Sequence, residues 1–294
     1  MGTDKIFFII AIIGYGITAV YSVRLWRNRF RNDFLPWGIV PLIAFAAHTL
    51  ALILRGFSLN SCPIHNLFEA GMFIGWTLSL GSVIALFFTK LRFLTAFLSP
   101  LLFLLGLFSL IPALDQPRVV PLPQWVSLHA TFAFLAYGAY GIASATAAMY
   151  LIQHRALKQK QLHALTRILP PVQRIRAFAS GMLLAGTLFL TIGLCVGIRG
   201  HYLETGIWIG GDIKIFWALA LWVYFSLLLI VQHMFHLRGR AMAWSILCGF
   251  IFILLTFWVT SFLSPTHGNR PAKPVREERI FIPMEEPDRE VIRI

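Results

Sequence analysis

Charge is what this sequence has least of. Asp, Glu, Lys and Arg together make up 13% of its 294 residues, where a soluble domain averages about 25%. So few charges cannot cover a water-facing globule. Acidic residues are scarcer still, 12 against 25 Lys and Arg, which leaves a net charge of +13. In a soluble protein that excess would raise nucleic-acid binding; here the basic residues sit in loops between apolar runs, so topology explains them and no nucleic-acid partner is expected. Only three cysteines occur, Cys62, Cys195 and Cys248. Without CxxC or CxxCH spacing they signal neither a redox pair nor a covalent haem site, and all three read as packing residues. No internal repeat is evident. No A-x-A-like cleavage site follows the first apolar run, which reads as a retained helix rather than a signal peptide.

Apolar sequence is abundant: 58% of the residues are hydrophobic and mean hydropathy is +0.75. Eight runs stand out, Ile6 to Trp26, Trp37 to Leu54, Leu67 to Phe88, Phe93 to Leu114, Val126 to Ile152, Ala179 to Ile198, Ile215 to His233 and Met242 to Leu263. Each is near the ~20 residues that carry a helix across the hydrocarbon. The expected fold is therefore an all-α polytopic membrane protein with eight transmembrane helices. Basic residues mark the cytoplasmic loops, and they gather after the first run (Arg24, Arg27, Arg29, Arg31), the third (Lys90, Arg92), the fifth (Arg155 to Arg176) and the seventh (Arg238, Arg240). Both termini are thus expected outside. The chain divides into a first helix with its basic loop (1–35), a membrane domain (36–269) and a Pro-rich, mixed-charge tail (270–294) that is expected to be flexible.

On that topology the outward loops run from Arg55 to Asn66, Asp115 to Trp125 and Arg199 to Lys214, and the tail follows Ser264. His129 opens the fifth run and His267 follows the eighth. Two imidazoles on separate helices at one depth could ligate a metal or haem iron from opposite faces, or each could be an interfacial residue with an apolar body and a wet tip. His48 lies inside the second run, where a titratable group needs a partner or a cavity; a haem or proton-relay contact and a hydrogen-bonded core histidine both fit. His233 and His236 sit one turn apart at the inner end of the seventh run, suiting either metal binding or snorkelling to water. In CPIHNLFEA, Pro63, Asn66 and Glu69 suit a helix N-terminus. Were Glu69 buried it would demand a cation, and Arg55 is the nearest in sequence. Trp125, Tyr202, Trp208 and Trp217 crowd the outer edge around Asp212, as an interfacial belt or a macrocycle pocket would require.

Taken together these segments resemble the cytochrome c assembly superfamily of the CcsA, ResC, HemX and YpjD kind, over roughly Trp37 to Asn269. GGDIKIFW places Asp212, Lys214 and Trp217 in the frame of the family's tryptophan-rich outer loop. CPIHNLFEA resembles its segment at Pro63, Asn66, Leu67 and Glu69, and LHATFAFLAYGAYG resembles the segment of its first external histidine, which maps to His129, the second mapping to His267. Ile209 and Gly211 stand where the family has two tryptophans, and Ile213 and Ile215 where it has Pro and Glu. The resemblance implies a protein of the bacterial plasma membrane that binds haem at its outer face and assists c-type cytochrome maturation. His129 and His267 would be the axial ligands, and Asp212, Trp217 and Trp208 the rim of the pocket. A ResB- or Ccs-type membrane partner and apocytochrome c are the implied partners, with the bilayer around them. It also implies no independent catalytic activity, at most a share in a cytochrome c synthetase complex. The alternative is a HemX-like accessory protein of the same fold with no bound haem. A transporter would place polar residues at the midplane, and the runs hold few.

Overall fold

A computed structural model describes residues 2–27, 38–59, 62–87, 94–115, 123–159, 170–208, 213–234 and 239–263, with the side chains of 25–27, 213–214 and 258–263 outside the description. Among them there is no strand. Eight helices follow in order: α1 (Thr3–Arg27), α2 (Val40–Leu59), α3 (Leu67–Phe87), α4 (Leu94–Ser109), α5 (Gln124–Lys158), α6 (Val172–Thr205), α7 (Ile213–Met234) and α8 (Arg240–Leu263), with a 3-10 turn at Pro112–Leu114 behind α4. Seven of them are long and apolar enough to cross a membrane, which makes this a multi-pass membrane protein. The fourth expected span is shorter: α4 has 16 residues, and Pro100 inside it withholds one backbone donor from the helix.

Helix is the natural state for such runs because a backbone without water must satisfy its own amides. Hydrophobicity does not choose their inward faces, since most are apolar all round. On α1 the exposed residues Ile6, Ile10, Ile13, Ile17 and Val20 form one stripe, and Phe8, Ala11, Ile12 and Tyr15 are buried opposite it. Small residues decide which faces meet, because they let backbones approach. A Cβ on Gly14 would lie 2.8 Å from Ala44 of α2, and one on Gly138 of α5 would collide with Thr77 of α3.

The contacts also fix the direction of each helix. Met72 and Glu69 on α3 meet His48 and Arg55 on α2, so those two are antiparallel. By contrast Thr77, Leu78 and Gly81 of α3 meet Gly138, Gly141 and Ile142 of α5 in ascending order, so α3 and α5 run parallel. The chain between them has to return along the bundle, and α4 makes that return: Thr95 bonds to Ser82 near the end of α3, and Asp115 reaches Asn66 at its start. Helices α5 and α6 are the longest, 35 and 34 residues, roughly 50 Å each at 1.5 Å per residue. They pack antiparallel around Tyr140, which stacks on Phe225 of α7 at 3.9 Å and bonds to Thr187.

Two expectations need correcting. Residues 199–205 belong to α6, not to a loop; the helix runs past its apolar window and stops where Gly206 turns left-handed at φ 71°, a conformation only glycine takes without strain. Cys195 and Cys248 are exposed on their helices, and of the three thiols only Cys62 is partly packed. A thiol is apolar enough to face hydrocarbon, so composition alone could not place it.

Candidate functional site

At the bundle end formed by the start of α1, the end of α2 and the start of α3, three carboxylates converge on one guanidinium. Arg55 gives Nε and Nη2 to Glu69 Oε1 at 3.0 and 2.9 Å, Nη2 to Asp115 at 2.7 Å and Nη1 to Asp4 at 3.3 Å. Lys5 closes the group on the other oxygen of Asp115. Both cations lie over the Phe68 ring, 5.3 and 5.5 Å from its centre, a placement the ring's negative face favours. Glu69 is 1% exposed, so the partner that its burial demands is the one its neighbourhood offered. Asn66 caps α3 by accepting from the Glu69 amide at 2.9 Å, and its Nδ2 donates to Asp115. The backbone N–H of His65 donates to Glu69 Oε2 at 2.6 Å. The sequence reading missed Asp4, Lys5 and Asp115, although each borders an apolar run in a chain short of acids.

Burial alone would raise the Asp115 carboxyl, but the Lys5 hydrogen bond, the Arg55 and Lys5 charges and the Asn66 amide outweigh it and hold it below the ordinary carboxylate range. The folded state therefore takes up a proton less readily than the unfolded chain. Its stabilisation is complete above the unfolded pKa near ~3.9 and disappears as pH falls through the lower folded value. The stability difference between wild type and Asp115→Asn should accordingly be constant from about pH 7 to about pH 5 and shrink below about pH 4, as read from detergent unfolding midpoints.

Beside this group, the ends of α5 and α6 build a second feature. Gly193, Gly197 and Gly200 line one face of α6, and Phe132, His129 and Trp125 of α5 fill the notch they leave. Within it the His129 Nδ1–H donates to the Gly193 carbonyl at 2.7 Å. That bond places the ring's lone pair on Nε2, the tautomer in which histidine ligates a metal. Just beyond, Trp125 donates to Glu204 at 2.9 Å, Trp208 stacks on Tyr202 at 4.1 Å, and the Arg199 guanidinium lies 6.0 Å from the Tyr202 ring centre. Trp208 is 56% exposed, so the pair offers a flat aromatic face outward. Burial, the dominant influence there, raises the thiol pKa of Cys62 in the loop before α3.

The other expected site residues separate. His48 is 1% exposed, accepts from the Tyr15 hydroxyl at 3.0 Å and donates Nε2–H to the Met72 carbonyl at 2.9 Å. Both ring nitrogens are engaged, and the side chain joins α1, α2 and α3. His233 is exposed near the opposite end of the bundle, on the last turn of α7. Trp217 packs edge-on to Phe252 of α8 at 5.3 Å, which secures the start of α7. Asp212 and His267 lie outside the described residues. Among the described residues no three of His, Cys, Asp and Glu converge as a metal-ion site.

The family described as Cytochrome C assembly protein matches residues 64–267, a span that takes in Asn66, Glu69, His129, Asp212, Trp217 and His267. The chain is similar to Protein NrfI of Wolinella succinogenes, 25% identical over 280 residues, which are 91% of this chain and 29% of that protein. It is also similar to Protein HemX of Brevibacillus brevis, 25% identical over 79% of this chain and 86% of that one. Cytochrome c biogenesis protein CcsA of Guillardia theta is 23% identical over 87% of this chain and 90% of its own. The chain spans less than a third of the length of NrfI.

Proposed function

Because the chain belongs to the cytochrome C assembly protein family, we propose that it is a haem-handling protein of the bacterial plasma membrane that assists c-type cytochrome maturation by holding haem at the outer face. The His129 end faces outward in this reading, since the basic loops collect at the other end. The return of the chain along α4 supports an eighth crossing.

The observation that carries the proposal is the Gly193 carbonyl holding His129 in the ligating tautomer. Haem held there would supply the group to which apocytochrome thiols become attached. His129 would offer its Nε2 to the haem iron. The stacked Tyr202 and Trp208 cover an apolar face, and Arg199 beside them balances carboxylate charge. His267 would offer the second imidazole: Phe257 packs on Phe134 and Tyr137 of α5, so α8 heads toward the His129 end and continues to Leu263, roughly 9 Å further, and His267 follows in the sequence. Asp212 directly precedes α7 in the sequence and would contribute to the rim in this reading. A ResB- or Ccs-type partner delivers the apocytochrome; this chain positions and shields.

Replacing His129 and His267 together by alanine should abolish the haem absorbance of the purified protein while its helical circular dichroism stays unchanged. Haem content equal to wild type would refute the proposal. A second reading, a HemX-like accessory protein without haem, is favoured by Ile209 and Gly211 at the tryptophan positions and by the match over 86% of HemX. Wild-type protein extracted from its native membrane with no Soret band would decide for it.

A further inference from the structure

At the end of the bundle opposite His129, a cavity of about 390 Å³ opens between α5, α6, α7 and α8. One wall is apolar, with Met242 and Ile246 of α8 among its residues; the other carries Tyr150, Arg176, Ser180 and Gln232. Gln232 Nε2 donates to Ser180 Oγ at 2.6 Å, which turns its carbonyl oxygen away, and that oxygen is buried without a hydrogen-bond partner among the described residues. A buried acceptor left unsatisfied keeps its full desolvation penalty, so the site asks for a donor. Arg176 has no ion-pair partner among the described residues and lies near the start of α6. The volume lies in the range of small-molecule sites, and the split between polar and apolar walls suits an amphiphile.

We infer that this cavity binds the headgroup of a membrane glycerophospholipid whose alcohol carries a hydrogen-bond donor, ethanolamine or glycerol. The phosphate accepts from Arg176, the ammonium or hydroxyl donates to Gln232, and an acyl chain follows the α8 wall outward. The requirement for a donor makes the site selective: a choline headgroup has the same phosphate and no N–H or O–H to give. The inference stands independently of haem, since it uses no residue of the His129 end.

Native mass spectrometry of the full chain in a non-ionic detergent, with added phosphatidylethanolamine, phosphatidylglycerol or phosphatidylcholine, tests it. The first two should be retained about tenfold more than the third at equal concentration. Gln232→Leu should bring the three to equal occupancy, and Arg176→Gln should lower all of them. Glycerophosphoethanolamine and inorganic phosphate serve as chain-free probes; displacement of the lipid by either at low millimolar concentration would identify a soluble phosphate ester as the ligand and overturn the lipid assignment. Equal retention of choline and ethanolamine lipids by wild type would overturn the inference without reference to any variant, and so would an unchanged preference in a folded Gln232→Leu protein.

Discussion

Arg55→Met should destabilise the protein by about 3–5 kcal/mol, the cost of removing one partner from a buried ion pair. The methionine keeps the volume and the apolar stem, so the loss isolates the charge. It leaves Glu69, at 1% exposure, without its main counter-ion, and leaves Asp4 and Asp115 close together with Lys5 as the one remaining cation paired to them among the described residues. In a membrane this matters more than core packing, because lipid tails are as apolar as leucine and moving side chains between the two environments gains little. The double variant Arg55→Met with Glu69→Gln should recover a substantial part of the loss, since the deepest unpaired charge is gone; coupling between touching residues is rarely additive. Thermal unfolding in detergent measures both. An Arg55→Met protein within about 1 kcal/mol of wild type would show that the cluster is not buried as a unit.

On the proposed haem-holding role, Gly197→Val should remove as much bound haem as His129→Ala, although residue 197 itself offers no ligating group. A Cβ at Gly197 would lie 2.6 Å from His129 Nδ1, closer than such atoms come. The side chain is the more movable partner, so the imidazole should swing out and lose the Gly193 carbonyl. Overpacking of this kind costs about 1–3 kcal/mol, within what the bundle survives. Gly181 on the same helix is the control, because nothing lies within 4 Å of its added Cβ; Gly181→Val should keep full haem content. If Gly197→Val retained wild-type absorbance while His129→Ala lost it, the ring would not be held by this notch. The comparison separates a positioned ligand from a histidine that merely lies near water.

The residues differ in how far each could be read beforehand. Glu69 and Arg55 were legible as a pair, because a carboxylate entering an apolar helix needs a cation and few were near. Asp4 and Asp115 were not, since they stand 51 and 60 positions from Arg55 and no local pattern links such distances. For His48 the sequence left two readings open, and the structure supplies the partners, Tyr15 and Met72, that the hydrogen-bonded core histidine needs. The α6 overrun to Thr205 was hidden because an apolar window measures the width of the membrane, whereas a helix ends where a residue such as Gly206 releases it.

By itself the sequence determined the class. Long apolar runs can hide their amides only in helices, and the sparse charges mark where those helices leave the hydrocarbon. Only the tertiary structure decided which helices touch and in which direction. Runs that are apolar on every side carry no amphipathic stripe to orient them, so the choice falls to steric fit at Gly14, Gly138 and Gly197 and to the few polar groups that can find partners across a seam.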